Sequence, residues 1–252
     1  MKKILITGAS GGIAKIVREN FKADQLTLWS RNFLELDSNE TWMKSEPLQN
    51  TEWWATAPIT GHYDSILHLA EPVKKNLSKS EITNIIKSHV EFLSNSSSSS
   101  KKILYPISAY KYDQLISKDH LHYITIKNSV SHQLSSNSNV FFPVIHPLID
   151  FGPGINETRK KISRLPLFNL FCSLESRIPI LEYQDLVKCF DCFINDGQVR
   201  KDWFTDTLSI SQIFNNPKNT DNRFLSSVLK QFLFFLRSNA SAYLLLNGRQ
   251  IK

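Results

Sequence analysis

Ile4-Leu5-Ile6-Thr7-Gly8-Ala9-Ser10-Gly11-Gly12-Ile13-Ala14 decides how the rest of the chain is read. Three apolar residues run straight into small ones. An apolar pattern then resumes at helical spacing through Ile13, Ile16, Val17 and Phe21, which predicts strand, tight turn, helix. Glycine in such a turn permits positive φ and a close approach of the backbone to a ligand. The free N–H groups and positive dipole end of the following helix attract a pyrophosphate. Ala14 stands where many dinucleotide fingerprints have their last glycine, so helix-to-strand packing must accommodate one methyl group.

The second strand, Gln25-Leu26-Thr27-Leu28-Trp29, ends in Ser30-Arg31 rather than in an acid. A carboxylate there accepts hydrogen bonds from the 2′-hydroxyl of NAD, whereas an arginine suits the 2′-phosphate of NADP. NADP is therefore the expected cofactor, with NAD as the alternative. Asn32-Phe33-Leu34-Glu35-Leu36-Asp37-Ser38 reads as a short third strand, and its Asp37 either reaches the adenine edge or caps a turn. Residues 39–61, with Trp42, Trp53 and Trp54, read as irregular.

Composition sets outer bounds. With 252 residues, 41% hydrophobic and 11% aromatic, the chain can bury a full core. No apolar run approaches the roughly 20 residues of a bilayer span. Strand one begins directly after Met1-Lys2-Lys3, which leaves no room for a signal peptide and makes a cytoplasmic location the expectation. The net charge of +7 is spread over scattered lysines, with no basic stripe interleaved with aromatics. That distribution favours anionic small molecules and argues against nucleic acid as a partner. Cys172, Cys189 and Cys192 lack a second pair to complete a zinc site and read as thiols in a reducing compartment; no metal site is expected.

Further along, Tyr63 to Ala70 predicts a fourth buried strand in which His68 is a core histidine. Ile82, Ile85, Ile86, Val90 and Leu93 recur at helical spacing within residues 79–93, and Ser94 to Ser100 reads as a flexible connector. Ile103 to Ile107 is the next strand and delivers Ser108. Beyond it stand Tyr123 and Lys127, four apart, which share one face if the segment is helical. Val140 to Ile145 predicts another strand, followed by His146-Pro147 and a turn at Gly152-Pro153-Gly154. A short strand at Ile178–Leu181 precedes a helix opened by Asp185. Phe224 to Leu236 carries an apolar helical stripe whose default use is core packing, with dimerisation or a membrane surface as alternatives.

Taken together, these segments resemble the short-chain dehydrogenase/reductase superfamily, in particular its extended branch of nucleotide-sugar epimerases, dehydratases and reductases. Four patterns carry the resemblance in order: Thr7-Gly8-x-x-Gly11, His68-Leu69-Ala70, Ser108 with Tyr123-x-x-x-Lys127, and His146-Pro147 through Phe151-Gly152-Pro153-Gly154. Glu182-Tyr183-Gln184-Asp185 looks like the family's late helix start, so the match spans about the first 190 residues. The stretch from Arg31 to Ser38 looks like GDP-fucose synthase and its relatives, which use NADPH to reduce a 4-keto sugar. The fold implied is α/β, a Rossmann-type doubly wound parallel sheet over residues 1–150 with a reduced substrate-binding lobe over 151–252.

By the same resemblance Tyr123 passes the proton, Lys127 stabilises its anion and bonds the nicotinamide ribose, and Ser108 orients the substrate oxygen. Gly8, Ser10, Gly11, Gly12, Ile13, Ser30, Arg31, Asp37, Leu69, Ala70 and Pro147 join Tyr123 and Lys127 around the cofactor. A nucleotide-sugar is the implied substrate and a homodimer the family's common assembly. Some positions depart from the pattern. His146 stands where the family usually has arginine, the chain is short for an extended member, and Ser108 lies closer to Tyr123 than that branch prefers. Ala109 replaces the cysteine that takes part in epimerisation in the fucose synthases, which points to simple ketone reduction. The alternatives are an epimerase or dehydratase with tightly held NAD, and a non-catalytic NADP-binding sensor.

Overall fold

Ile4, Leu5, Ile6 and Thr7 are buried in succession along strand β1 (Lys3–Thr7), as expected of a strand covered on both faces. The computed structural model describes residues 1–44, 59, 61–70, 77–108, 118–145, 148–150, 177–203 and 206–209. In it β1 pairs in parallel with β2 (Gln25–Ser30) and β4 (Ser65–His68). Outside them lie β3 (Glu40–Lys44) on one flank, and β5 (Ile103–Leu104) then β7 (Val140–Phe141) on the other. The resulting parallel sheet has the order β3-β2-β1-β4-β5-β7. Strand order reverses between β1 and β4, and in such sheets the crevice at the carboxyl ends of those strands is where ligands bind. The expected Rossmann-type doubly wound sheet is therefore present.

Alternation along the strands sorts the core. Leu5, Ile66, Ile103 and Val140 bury against Ile85, Phe92 and Leu93 of α2 (Lys79–Ser96) and Ile126 and Val130 of α3 (Lys118–Gln133). Phe141, the next residue on β7, turns to the other face and meets Phe193 of α4 (Tyr183–Asp196), ring centroids 5.7 Å apart. The carboxyl end of α4 is tied down by cations, as its dipole favours: Lys2 Nζ donates to the Ile194 carbonyl at 2.7 Å and Lys102 Nζ to the same oxygen at 3.5 Å. At its amino end α2 has a complete capping box between Ser78 and Glu81.

Five expectations are corrected. Residues 32–38 are not a strand. The Ser30 hydroxyl donates to the Asn32 carbonyl and the Glu40 carboxylate accepts from the Asp37 amide, which curls the chain, and Phe33 is left 68% exposed. The third strand is β3, inside the segment read as irregular; as an edge strand it needs little apolar character, so its pattern is faint. The serine run is no flexible connector: α2 continues to Ser96, whose hydroxyl donates to the Phe92 carbonyl, and Ser97 likewise bonds Leu93. The strand predicted at 103–107 is divided by Pro106 into β5 and β6 (Ile107–Ser108). That at 140–145 is divided by Pro143 into β7 and β8 (Val144–Ile145), because proline cannot donate to a ladder. Short strands β6, β8 and β11 (Asp202–Trp203) form a separate three-stranded sheet.

The chain divides into two units. One contains Met1–Ile107, Thr125–Val144 and Val187–Asp202, and thus the six-stranded sheet. The other contains Ser108–Ile124, Ile145–Leu186 and Trp203–Lys252. Its described part includes a sheet in which β10 (Arg177–Glu182) pairs in parallel with β9 (Leu148–Asp150) and antiparallel with β12 (Asp206–Ser209). Among the described residues no helix is long and apolar enough to cross a membrane. Residues 224–236, 146–147 and 151–154 lie outside the described residues.

Candidate functional site

The turn after β1 is shaped by Gly8. Its φ is +68°, and a Cβ there would come within 2.6 Å of Ala70 Cα, 2.7 Å of Ala70 N and 2.9 Å of the Leu69 carbonyl carbon. Only a residue without a side chain lets β1 and β4 leave the sheet this close together. The turn closes with the Gly11 amide donating to the Gly8 carbonyl at 2.9 Å. Gly11 then caps α1 (Gly12–Asn20) with no side chain bonded to the helix's first amides and no acid in its first turn. Those amides and the dipole are thus directed at a space bordered by exposed Ser10, Gly11 and Gly12 and half-buried Ile13. A Cβ on Gly12 would touch nothing within 4 Å, so no internal packing excludes it. An open, amide-rich, acid-free turn is what a pyrophosphate needs, and the residues present fit a dinucleotide.

At the end of β2, Ser30 is buried, and its hydroxyl is engaged within the protein: it donates to the Asn32 carbonyl at 2.7 Å and accepts from Trp42 Nε1 at 3.0 Å. It holds the loop that carries Arg31. Arg31 is exposed and, among the described residues, makes no ion pair. The Asp37 carbonyl accepts from the Glu40 amide, and its carboxylate lies 3.6 Å from Lys22 Nζ.

On α3, Tyr123 is half-buried and Lys127 is 2% exposed, four residues apart on one continuous helix and so on one face of it. Lys127 Nζ sits 3.8 Å from the centroid of the Tyr105 ring, a cation–π contact. Beneath that ring lies a polar cluster within the apolar core. Thr7 Oγ1 and His68 Nδ1 are 2.7 Å apart, His68 Nε2 and His89 Nδ1 2.8 Å, and the Ala70 amide donates to Thr7 Oγ1 at 3.3 Å. Burial drives the His68 pKa well below its ordinary value, and the charges of His89 and Lys127 add to that. Burial, then Lys127, lowers His89 to about 3. Burial thus favours the neutral form of both imidazoles.

His68 is thus a core histidine, as read from sequence, but not a lone one. His89, Thr7 and Tyr105 were missed. A signal existed for His89, which interrupts the apolar stripe of α2 four residues after Ile85. Gly8 is brought against Leu69 and Ala70, Gly11 against the Gly8 carbonyl, and Lys127 against Tyr105. Ser108 ends β6. Ser108 and Tyr123 fall in the second unit and Lys127 in the first, and Pro147 lies outside the described residues.

No family model matches the chain, and no curated protein matches it. Solved structures do. A nucleoside-diphosphate-sugar epimerase from Staphylococcus aureus aligns at TM-score 0.63 with 12% identity over 99% of this chain and 91% of its own. The Bordetella bronchiseptica enzyme WbmG, solved with NAD and UDP, aligns at 0.58 with 14% identity over 85% and 76%. Vestitone reductase from alfalfa aligns at 0.59 with 13% identity over 84% and 80%. The chain has the fold of the extended short-chain dehydrogenase/reductase enzymes.

Proposed function

We propose that the chain is an NADP-dependent oxidoreductase that reduces a keto group on a nucleotide-linked sugar. The observation that carries this reading is the Tyr123–Lys127 pair on α3, with Lys127 buried, in a chain whose first turn fits a dinucleotide. A bound nicotinamide supplies the hydride. The chain's own residues do the rest: the Tyr123 phenol gives its proton to the carbonyl oxygen, and the Lys127 ammonium stabilises the phenolate left behind. A free phenol titrates near about 10, so without that cation the exchange would be slow at neutral pH. Ser108 hydrogen-bonds the substrate oxygen and orients it. Gly8, Ser10, Gly11, Gly12 and Ile13 hold the pyrophosphate, Leu69, Ala70 and Pro147 border the nicotinamide half, and Arg31 takes the 2′-phosphate with Ser30 and Asp37 shaping its loop. The segment 151–252 holds the sugar.

Purified protein given NADPH and a nucleoside-diphosphate-4-keto sugar should oxidise the cofactor. Tyr123→Phe should lower turnover by about 10²–10⁴-fold while cofactor affinity stays unchanged. Arg31→Ser should weaken NADPH binding by about 10–100-fold and leave NADH binding unchanged, since a charge-assisted contact is lost. One observation favours a second reading. The S. aureus neighbour is a sugar epimerase and WbmG was solved with NAD. Interconversion of nucleotide-sugar epimers by protein that retains NAD, without net consumption of NADPH, would establish that reading instead. Undiminished function of Tyr123→Phe would indicate a cofactor sensor.

A further inference from the structure

The Tyr105 ring that faces Lys127 is itself held by histidines. It stacks on His68 with centroids 5.4 Å apart at 24°, lies against His89 at 5.5 Å and 46°, and meets the edge of Phe142 at 6.2 Å. His68 is in turn pressed on Phe92 at 4.6 Å. All of these side chains except Phe142 are buried. The hydrogen bonds have one donor whose direction is certain, the Ala70 amide, which gives its proton to Thr7 Oγ1. The other two bonds, Thr7 Oγ1 with His68 Nδ1 and His68 Nε2 with His89 Nδ1, take their direction from the His68 tautomer: in the Nε2–H form the Thr7 hydroxyl donates to Nδ1 and His89 Nδ1 accepts. This chain begins at the residue whose backbone touches Gly8 and ends beside the ring under Lys127.

We propose that His68 and His89 are positioning residues for Lys127, acting through Tyr105: their hydrogen-bonded chain from Thr7 fixes the aromatic face on which the ammonium rests. The inference rests on the reading of Lys127 as the cation that serves Tyr123. Among the described residues, the buried titratable side chains on β4, on α2 and after β5 are His68, His89 and Tyr105; Lys79, Glu81, Lys87 and Glu91 of α2 are not buried. A second positive charge among them would oppose Lys127 directly. The pair does its work only as neutral imidazoles that interlock through a single shared proton.

The test is nuclear magnetic resonance on the full chain, with no substrate added. In the wild type the Lys127 ε-methylene protons should lie upfield of every other lysine because of the Tyr105 ring current. His68 should show the Nε2–H tautomer. Tyr105→Leu, as a control, should return Lys127 to the ordinary position. His89→Leu should do the same, whereas His89→Asn, which keeps an acceptor for His68 Nε2–H, should retain the upfield signal. With substrate, His89→Leu should lose about 10-fold in kcat with the KM for cofactor unchanged, and His89→Asn should restore it. An upfield Lys127 in folded His89→Leu overturns the proposal, as does an Nδ1–H tautomer of His68 in the wild type. If His89→Leu fails to fold, the wild-type tautomer and ring-current readings decide. Failure to reduce any keto sugar would strike at the function proposed above and leave these readings standing.

Discussion

Gly8 and Gly12 occupy one turn, yet each lacks a side chain for a different reason. At Gly8 the constraint is internal: positive φ and the Ala70 backbone 2.6 Å from where a Cβ would lie. Gly8→Ala should cost about 3 kcal/mol in urea denaturation, from left-handed strain plus overpacking against backbone. At Gly12 the fold imposes nothing, since a Cβ would meet only open space. Gly12→Ala should keep stability within about 1 kcal/mol of wild type. Its added methyl should weaken dinucleotide binding by about 10-fold in a fluorescence titration. Loss of stability at Gly12, or unchanged cofactor affinity there, would show that the open space is not the phosphate site. The glycine turn was legible in the sequence because positive φ is a local demand, whereas the approach of the Ala70 backbone to Gly8 is a tertiary one. Ser30 was legible only as a position, because what engages its hydroxyl, Trp42 Nε1, comes from a strand the sequence pattern did not reveal.

Among elements, the join between α1 and β3 carries the clearest prediction. Arg18 Nε and Nη2 donate to the two oxygens of Glu40 at 2.8 and 2.7 Å, and Nη2 also reaches the Glu35 carbonyl. The Glu40 side chain is 1% exposed. Burial works against its charge, but the Arg18 bonds and the Asp37 amide outweigh this and hold the carboxyl below its ordinary range. Arg18→Met should therefore destabilise the first unit by about 3 kcal/mol in urea denaturation, because a buried carboxylate loses its partner. A change below about 1 kcal/mol would mean that the pair behaves as an exposed one. The helices carrying strong periodicity, α2 and α4, were readable from sequence. β3 was not, since an edge strand with charged ends owes its place to pairing with β2 rather than to its own pattern.

Across the molecule, pH couples to the buried histidines. A histidine in an unfolded chain protonates near about 6.5, whereas His68 and His89 stay neutral when folded. Below that pH the unfolded state binds more protons, so stability is complete above about 7 and falls as pH drops toward the folded values, about 3 for His89. The slope approaches about 1.4 kcal/mol per pH unit for each histidine. Urea midpoints of the first unit should accordingly decline between about pH 6.5 and about pH 5, above the range where carboxylates such as Glu40 titrate. His89→Phe, if folded, should roughly halve the slope. A flat or rising stability in that window would mean that the histidines are protonated or accessible to water.

By itself the sequence determined the parallel α/β sheet, the glycine turn at its switch point and the spacing of Tyr123 and Lys127, because periodicity and turn chemistry are properties of neighbouring residues. Tertiary structure alone decided what surrounds Lys127. Thr7 and His68 come from separate strands, His89 from a helix and Tyr105 from the segment after β5, and no local pattern records that they meet. Their burial together sets the charge state of the histidines, and that follows from the density and dielectric of a packed interior rather than from the order of residues along the chain.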